Sequence, residues 1–187
     1  MQNSFLCSLS AEELSTPQLI KALQAGGHVI YMRHAITSHL QKDRDRENFN
    51  DCSLQRNLSN EGKDQAVRIG DLIKRLGIPI GEVISSPYCR CKETAKLVFG
   101  EYKVDQNLGF SISKDKLESQ RLGKYLYDLM MNISSNQKNQ VLVGHTSNLK
   151  DGLGVWPKPE GVVAIFHKQN GKMIYKGMIK PDEWLEI

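Results

Sequence analysis

The sequence predicts an α/β fold, a three-layer sandwich in which a mostly parallel central sheet with an antiparallel edge strand lies between helices. Two observations support this prediction. Short apolar strands alternate with helical segments between residues 17 and 144, an order typical of parallel sheets covered by helices. The last third of the chain instead contains two strand-like runs joined by Asn170-Gly171, a pair that favours a tight type I′ hairpin turn.

The first strand follows a short helix. The helix is predicted over 17–25, because Pro17 suits a first helical turn and Gly26-Gly27 ends the segment. The run HVIYMR (28–33) is rich in β-branched and aromatic residues and predicts a buried strand. Residues 37–58 are polar without a sustained period, so we expect a functional loop directly after this strand.

Further strands and helices follow the same alternation. The N-cap candidate Ser59 opens a helix whose apolar residues repeat at three- and four-residue intervals as far as Leu76. The remaining segments are a strand at 82–86, a helix at 87–99, a helix at 114–132, a strand at 141–144, and the two hairpin strands at 162–168 and 172–178. Residues 100–113 show no regular pattern.

Length and charge narrow the class of protein. A chain of 187 residues buries one good core but is too short for two domains of ordinary size, so a single domain over residues 1–187 is expected. The net charge of +4 is spread along the chain, which favours anionic small substrates over nucleic acid. No stretch approaches the roughly 18 apolar residues of a membrane span.

The N-terminal residues and the cysteines bear on the compartment. Residues 1–15 lack the basic start and apolar run of a signal peptide, so the cytoplasm is the default expectation; a missing upstream signal peptide would make the protein periplasmic or secreted. The cysteines are Cys7, Cys52, Cys89 and Cys91, without zinc-site spacing. Reduced thiols are the favoured interpretation, and a Cys52–Cys89 disulfide is the alternative that would indicate an oxidising compartment.

Basic side chains follow three predicted strands close to where each strand ends. Arg33 and His34 follow the first, Arg90 the second and His145 the third. Ligands of open α/β sheets bind at the carboxyl ends of the strands, so these four residues should converge. Guanidiniums match phosphate oxygens, and imidazoles serve as nucleophile or proton donor. The pattern predicts phosphoryl transfer through a phosphohistidine on His34, with no metal or cofactor.

Four segments together resemble the histidine phosphatase superfamily, the phosphoglycerate-mutase-like group, in its branch 1 of small bacterial phosphatases. They are YMRHAIT (31–37), DCSLQRNLSNEGKDQA (51–66), SSPYCRCKETA (85–95) and VLVGHTSNL (141–149). The resemblance covers about residues 28–166 and implies a phosphoglycerate-mutase-like fold. By the same resemblance, His34 is the phosphate acceptor, and Arg33, Arg90 and His145 complete the phosphate pocket.

Three more residues are candidates for substrate binding. Thr37 lies three residues beyond His34, where the family often carries a hydroxyl, and Arg56 could reach the substrate from the loop. Glu160 is the candidate leaving-group acid, approaching from the segment before the late hairpin. For Thr37 a loop cap is an equally good interpretation, for Arg56 a solvated surface arginine is at least as good, and for Glu160 a surface turn is the favoured one.

The chain also departs from the family pattern. Ala35 replaces the glycine of the first motif, and VDQNLGFSISKD (104–115) lacks the glutamate acid of mutases and many monoesterases. The phytase-like branch has His-Asp where this chain has His145-Thr146. The leaving-group acid is therefore unassigned, and a mutase is disfavoured.

The resulting expectation is a metal-independent phosphatase of the histidine acid phosphatase type, acting on a phosphorylated small molecule or a phosphoprotein. One alternative is a signalling phosphohistidine phosphatase, favoured by the missing acid. The other is a non-catalytic phospholigand-binding module, against which the intact His34 argues.

Overall fold

A six-stranded mixed sheet organises the fold. The structure, a computed structural model, describes residues 13–112, 114–132 and 137–185. The strands in chain order are β1 (Val29–Arg33), β2 (Ile80–Ser85), β3 (Lys103–Val104), β4 (Asn139–Gly144), β5 (Val163–Gln169) and β6 (Lys172–Ile179). They lie in the order β3-β2-β4-β1-β5-β6, with the first four mutually parallel. Strand β5 is antiparallel to β1 and to β6, which confirms the predicted fold class.

Helices cover both faces of the sheet. They are α1 (Thr16–Ala25), α2 (Asn60–Arg75), α3 (Cys89–Phe99), α4 (Lys116–Asn132) and α5 (Thr146–Leu153). Ile30 and Met32 of β1 join the apolar cluster with α1, α2 and α3, whereas Tyr31 joins the cluster with α4 and α5. Because side chains alternate between the two faces of a strand, β1 is buried on both sides at the centre of a three-layer structure.

Local chemistry explains where the predicted elements begin and end. The Ser59 hydroxyl accepts a hydrogen bond from Gly62 N at 3.0 Å and caps α2 as expected. Asn170 and Gly171 have φ values of 50° and 71°, which a type I′ turn requires at both central positions. The two-residue hairpin between β5 and β6 is therefore confirmed.

Two elements were not predicted from the sequence. Strand β3 has only two residues and pairs with the edge of β2. Helix α5 has only eight residues and contains a glycine, so its helical period is short and interrupted. The sequence pattern that indicates this helix is the four-residue spacing of Leu149 and Leu153, and both side chains pack into the core between the sheet and the layer of α4 and α5.

A disulfide joins the polar loop to α3. Cys52 and Cys89 are bonded across a sequence separation of 37, so the favoured interpretation of reduced thiols is wrong for these two cysteines. Cys91 is a buried free thiol, and Cys7 lies outside the described residues. The bond fixes the 3₁₀ turn at Cys52–Leu54 against the first residue of α3. The described part of the chain contains no helix that is both long and apolar enough to cross a membrane.

We expect the double substitution Cys52→Ala/Cys89→Ala to lower the free energy of unfolding by roughly 3 to 4 kcal/mol, because a cross-link over this separation restricts the unfolded chain. Urea unfolding of the two proteins measures the difference. A reductant should lower the urea midpoint of the intact protein and leave that of the double variant unchanged. Equal midpoints for the intact and doubly substituted proteins would contradict the expectation.

Candidate active site

Two neighbouring strands place the two histidines close together, with one ring edge-on to the other. Strands β1 and β4 are parallel, with Arg33 opposite Gly144, so the residues that follow them, His34 and His145, leave the sheet side by side. Their ring centroids are 5.5 Å apart. Arg33, His34, Arg56 and His145 line one cavity of about 440 Å³. The structure thus brings Arg33, His34 and His145 to one cavity, whereas Arg90 is completely buried and is not among the residues that line it.

His34 is held as a neutral imidazole with a defined tautomer. Its ring is buried, and Nδ1 lies 2.9 Å from the Ala35 carbonyl oxygen. A carbonyl only accepts, so Nδ1 carries the proton and Nε2 keeps a free electron pair. Burial lowers the pKa of His34 well below 6.5, and the nearby Arg90 lowers it further. The ring therefore offers a nucleophilic nitrogen at neutral pH.

Neighbours from both faces of the sheet fix His145. The Tyr31 hydroxyl donates to the His145 carbonyl at 2.8 Å and accepts from its backbone N–H at 2.9 Å. The Ser86 hydroxyl lies 2.9 Å from His145 Nε2. The rings of Tyr88 and Phe110 both have centroids 4.9 Å from that of His145. Burial, followed by the charge of Arg90, lowers the pKa of His145 well below 6.5.

Cys91 lies beside His145 but remains a thiol. Its Sγ is 3.5 Å from His145 Nε2 and is completely buried. Burial raises the pKa of Cys91 to about 12. Because the thiolate is the reactive form of cysteine, this side chain packs against the imidazole and does not compete with His34 as a nucleophile.

We expect the stability of the protein to fall as the pH drops below 6.5, the value at which an unfolded histidine titrates. Below this pH the two histidines bind protons in the unfolded chain but not in the folded protein, where His34 and His145 are buried. Each histidine therefore lowers the free energy of unfolding by about 1.4 kcal/mol per pH unit until the pH reaches its folded pKa. Urea midpoints measured between about pH 7.5 and 5.5 test the slope.

Two variants separate this effect from general acid sensitivity. His34→Asn/His145→Asn should reduce the slope of stability against pH, because neither position then binds a proton, and should leave the part due to His28, whose pKa burial also lowers. His39→Asn removes an exposed imidazole and should leave the slope unchanged. A slope in the double variant as steep as that of the intact protein would contradict the expectation.

Arg90 is a completely buried cation at the start of α3. Its Nη1 donates to Asp43 Oδ1 at 2.9 Å and to the Arg56 carbonyl at 3.3 Å, and its guanidinium carbon lies 4.4 Å from the centroid of the Tyr88 ring. Asp43 Oδ1 also accepts from Arg56 N at 2.9 Å. Residues of the polar loop therefore hold the arginine next to both histidines.

Glu160 contacts the other two substrate-binding candidates, Thr37 and Arg56. Its carboxylate accepts from Thr37 N and Thr37 Oγ1, both at 3.0 Å, and from Arg33 Nη2 at 3.3 Å. Arg56 Nη2 lies 3.7 Å from Oε1, and His34 Nδ1 lies 4.0 Å from the same oxygen. Thr37, Arg56 and Glu160 thus lie beside His34, with Glu160 as the common partner.

The arginines keep donors without protein acceptors. Within residues 13–112, 114–132 and 137–185, no acceptor meets the buried Nε atoms of Arg33, Arg56 and Arg90, or Nη2 of Arg90. Buried donors are normally paired, because an unpaired one costs about 1–3 kcal/mol. Two carboxylates, Asp43 and Glu160, face three guanidiniums. The site has an excess of positive charge and of N–H donors, which suits an oxyanion.

Sequence reasoning missed the residues that support this arrangement. Asp43 was one of several acidic residues in the polar loop, and nothing in its neighbourhood marks it as the partner of Arg90. Ser86 stands in the second motif, and Tyr31 is one of several buried core residues of β1; only the fold shows that both contact His145. Phe110 lies in the segment 100–113, where no pattern was found.

Comparison with known proteins agrees with the motifs. Residues 29–109 match the model of the histidine phosphatase superfamily (branch 1). No curated protein sequence matches the chain. A mutant phosphoserine phosphatase from Entamoeba histolytica, solved in complex with phosphoserine, is 16% identical, with a TM-score of 0.62 over 83% of this chain and 98% of that one. The protein histidine phosphatase SixA is 17% identical, with a TM-score of 0.56 over 83% and 97%.

A third structure, of the alpha-ribazole phosphatase from Shigella flexneri, is 13% identical, with a TM-score of 0.62 over 82% of this chain and 96% of that one. At these identities the structural likeness shows the fold alone. Together with the family match, it confirms the predicted resemblance to the histidine phosphatase superfamily and the phosphoglycerate-mutase-like architecture.

Proposed function

We propose that the protein is a metal-independent phosphatase that hydrolyses a phosphate ester through a covalent phosphohistidine on His34. One observation carries the proposal: the unprotonated Nε2 of buried His34 lies in a pocket whose arginines hold N–H donors without protein acceptors. A nucleophile beside preorganised donors for phosphoryl oxygens is what the reaction requires. The match to the histidine phosphatase superfamily supports it.

The reaction proceeds in two displacements. Nε2 of His34 forms a bond to phosphorus while the bond from phosphorus to the ester oxygen breaks, and the leaving oxygen takes a proton from water. Water then attacks phosphorus, the N–P bond breaks, and inorganic phosphate leaves as the water proton passes to solvent. Arg33, Arg56 and Arg90 compensate the charge on the equatorial oxygens in both steps.

His145 complements the arginines as a neutral donor. With the Ser86 hydroxyl donating to Nε2, the proton of the imidazole resides on Nδ1, and in this proposal Nδ1 donates it to a phosphoryl oxygen. Tyr31 fixes the backbone of His145 through two hydrogen bonds, so the ring is positioned before substrate binds. In this proposal Ser86 and Tyr31 act through His145.

Glu160 acts in the proposal as an acceptor that orients Arg33, Thr37 and Arg56. Its oxygens already accept three hydrogen bonds, whereas a general acid must present a proton of its own. Because no side chain then donates a proton to the leaving group, a phosphate ester relies on water for that proton. A phosphohistidine in a protein has a leaving group that needs less protonation, so its hydrolysis, the activity named for the neighbour SixA, is the second candidate function.

The disulfide supports a place for this phosphatase in an oxidising compartment. Disulfides persist in secreted and periplasmic proteins and are rare in the reducing cytosol. The bond between Cys52 and Cys89 thus argues against the cytoplasmic default. It also keeps the loop that bears Asp43 and Arg56 next to Arg90.

Hydrolysis of p-nitrophenyl phosphate in the presence of EDTA tests the proposed function. The intact protein should release nitrophenol and phosphate in equal amounts, and His34→Ala should not. A folded intact protein that binds vanadate and releases no phosphate would identify a binding module instead.

A further inference from the structure

The cavity extends beyond the phosphate pocket into a second region with its own charge. Besides the residues that surround His34, its lining includes Lys150, Trp156 and Lys158. The ammonium groups of Lys150 and Lys158 lie 4.5 Å and 4.7 Å from the centroid of the Trp156 ring. We call these three residues the lysine–tryptophan group.

The two lysines hold positive charge without a counter-ion. Among the residues that the structure describes, neither ammonium lies within 4.0 Å of a carboxylate. Asp151 also lines the cavity, and its carboxylate accepts a hydrogen bond from Ser111 Oγ at 2.9 Å. Both lysines are exposed, and they approach the same indole ring. Two ammonium groups around one indole ring give this part of the cavity a positive potential, which favours an anion.

The lysine–tryptophan group is tied to the phosphate pocket through both of its segments. Lys150 lies on α5 one turn beyond Thr146, about 6 Å further along the helix axis, and the two side chains share the cavity face. The segment with Trp156 and Lys158 contacts the pocket through the Pro157 carbonyl, which accepts from Arg33 Nη1 at 3.4 Å. The same carbonyl lies 3.5 Å from Thr146 Oγ1.

We propose that the lysine–tryptophan group binds a second anionic group, a phosphate or a carboxylate, carried on the leaving-group side of the substrate. The inference rests on the proposed function and narrows it to phosphate esters of small anionic molecules. The phosphoryl group to be transferred occupies the arginines and histidines, and the second anion lies about one helical turn away between Lys150 and Lys158. The exposed part of Trp156 supports the apolar spacer between the two groups.

Three esters with the same alkyl leaving oxygen test the proposal: butyl phosphate, the bisphosphate of butanediol and the phosphate ester of γ-hydroxybutyrate. The intact protein should show a kcat/KM for at least one anionic ester about tenfold above that for butyl phosphate, since two exposed charge pairs together supply about 1.4 kcal/mol. Whichever anionic ester is preferred identifies the second group as phosphate or carboxylate.

The substitution Lys150→Ala/Lys158→Ala should lower kcat/KM for the preferred anionic ester about tenfold, so that the preference over butyl phosphate is lost. Lys150→Arg/Lys158→Arg should retain it, because the charge remains. Lys21→Ala/Lys172→Ala removes two exposed lysines that do not line the cavity and serves as the matched control. Raising the ionic strength from about 0.02 to 0.3 M should weaken the preference, since exposed charges are screened.

Calorimetric measurement of the binding of the three esters to His34→Ala separates this inference from the proposed function. Tighter binding of an anionic ester than of butyl phosphate, lost with the two lysines, would support the anion site even if no turnover is found. Turnover of p-nitrophenyl phosphate together with equal binding and turnover of all three esters would overturn the anion site and leave the phosphatase proposal standing.

Discussion

His34→Ala is expected to lower kcat for p-nitrophenyl phosphate by at least about ten-thousandfold, because the variant has no nucleophile to form the covalent intermediate. The arginines and His145 remain, so vanadate should still bind. A variant that loses turnover and keeps vanadate binding separates the loss of chemistry from the loss of the pocket. His39→Ala, which removes an exposed imidazole, serves as the control and should keep full activity.

The covalent intermediate itself gives a second measurement on the same variant. Brief mixing with radioactive substrate, followed by quenching in alkali, should leave label on the intact protein and none on His34→Ala. A phosphoramidate is stable in alkali and is hydrolysed in acid, whereas a serine ester behaves in the opposite way. Label that survives acid, or label that persists without His34, would overturn the phosphohistidine mechanism.

The fold could be predicted because its local patterns agree with its tertiary structure. The run 28–33 is apolar on both faces, and in the structure β1 is buried between two helical layers. Asn170-Gly171 specifies its turn through backbone conformation alone. Short elements such as β3 and α5 depend on neighbours across the sheet, and those neighbours are distant in sequence.

Some residues of the candidate site could likewise be predicted from the sequence, and others could not. His34, Arg90 and His145 could be predicted as candidates because each stands inside a distinctive motif that follows a strand, directly after it for the two histidines and in the first turn of α3 for Arg90. Asp43 and Lys150 could not, since one lies in a loop with several other charges and the other on an unpredicted helix. Only their contacts in the folded protein mark these two residues. Asp43 Oδ1 lies 2.9 Å from Arg90 Nη1, and Lys150 shares the Trp156 ring with Lys158.

Arg90→Met is expected to lower kcat/KM for p-nitrophenyl phosphate by about a thousandfold, because in the proposed mechanism this buried cation compensates the charge that develops on the phosphoryl oxygens. The substitution also leaves Asp43 unpaired at 7% side-chain exposure, and breaking a buried ion pair costs about 3–5 kcal/mol. Adding Asp43→Asn should therefore restore stability to the single variant without restoring its activity.

Arg68→Met removes an exposed arginine of α2 and should change neither stability nor turnover. Arg90→Lys keeps the charge but loses the planar fork, and an intermediate rate is expected because an ammonium cannot bind Asp43 and a phosphoryl oxygen with fixed geometry. Thermal unfolding and kcat/KM measured on all four variants separate the two roles. If Asp43→Asn/Arg90→Met recovered activity together with stability, Arg90 would be a structural cation, and Arg33 and Arg56 would have to compensate the phosphoryl charge alone.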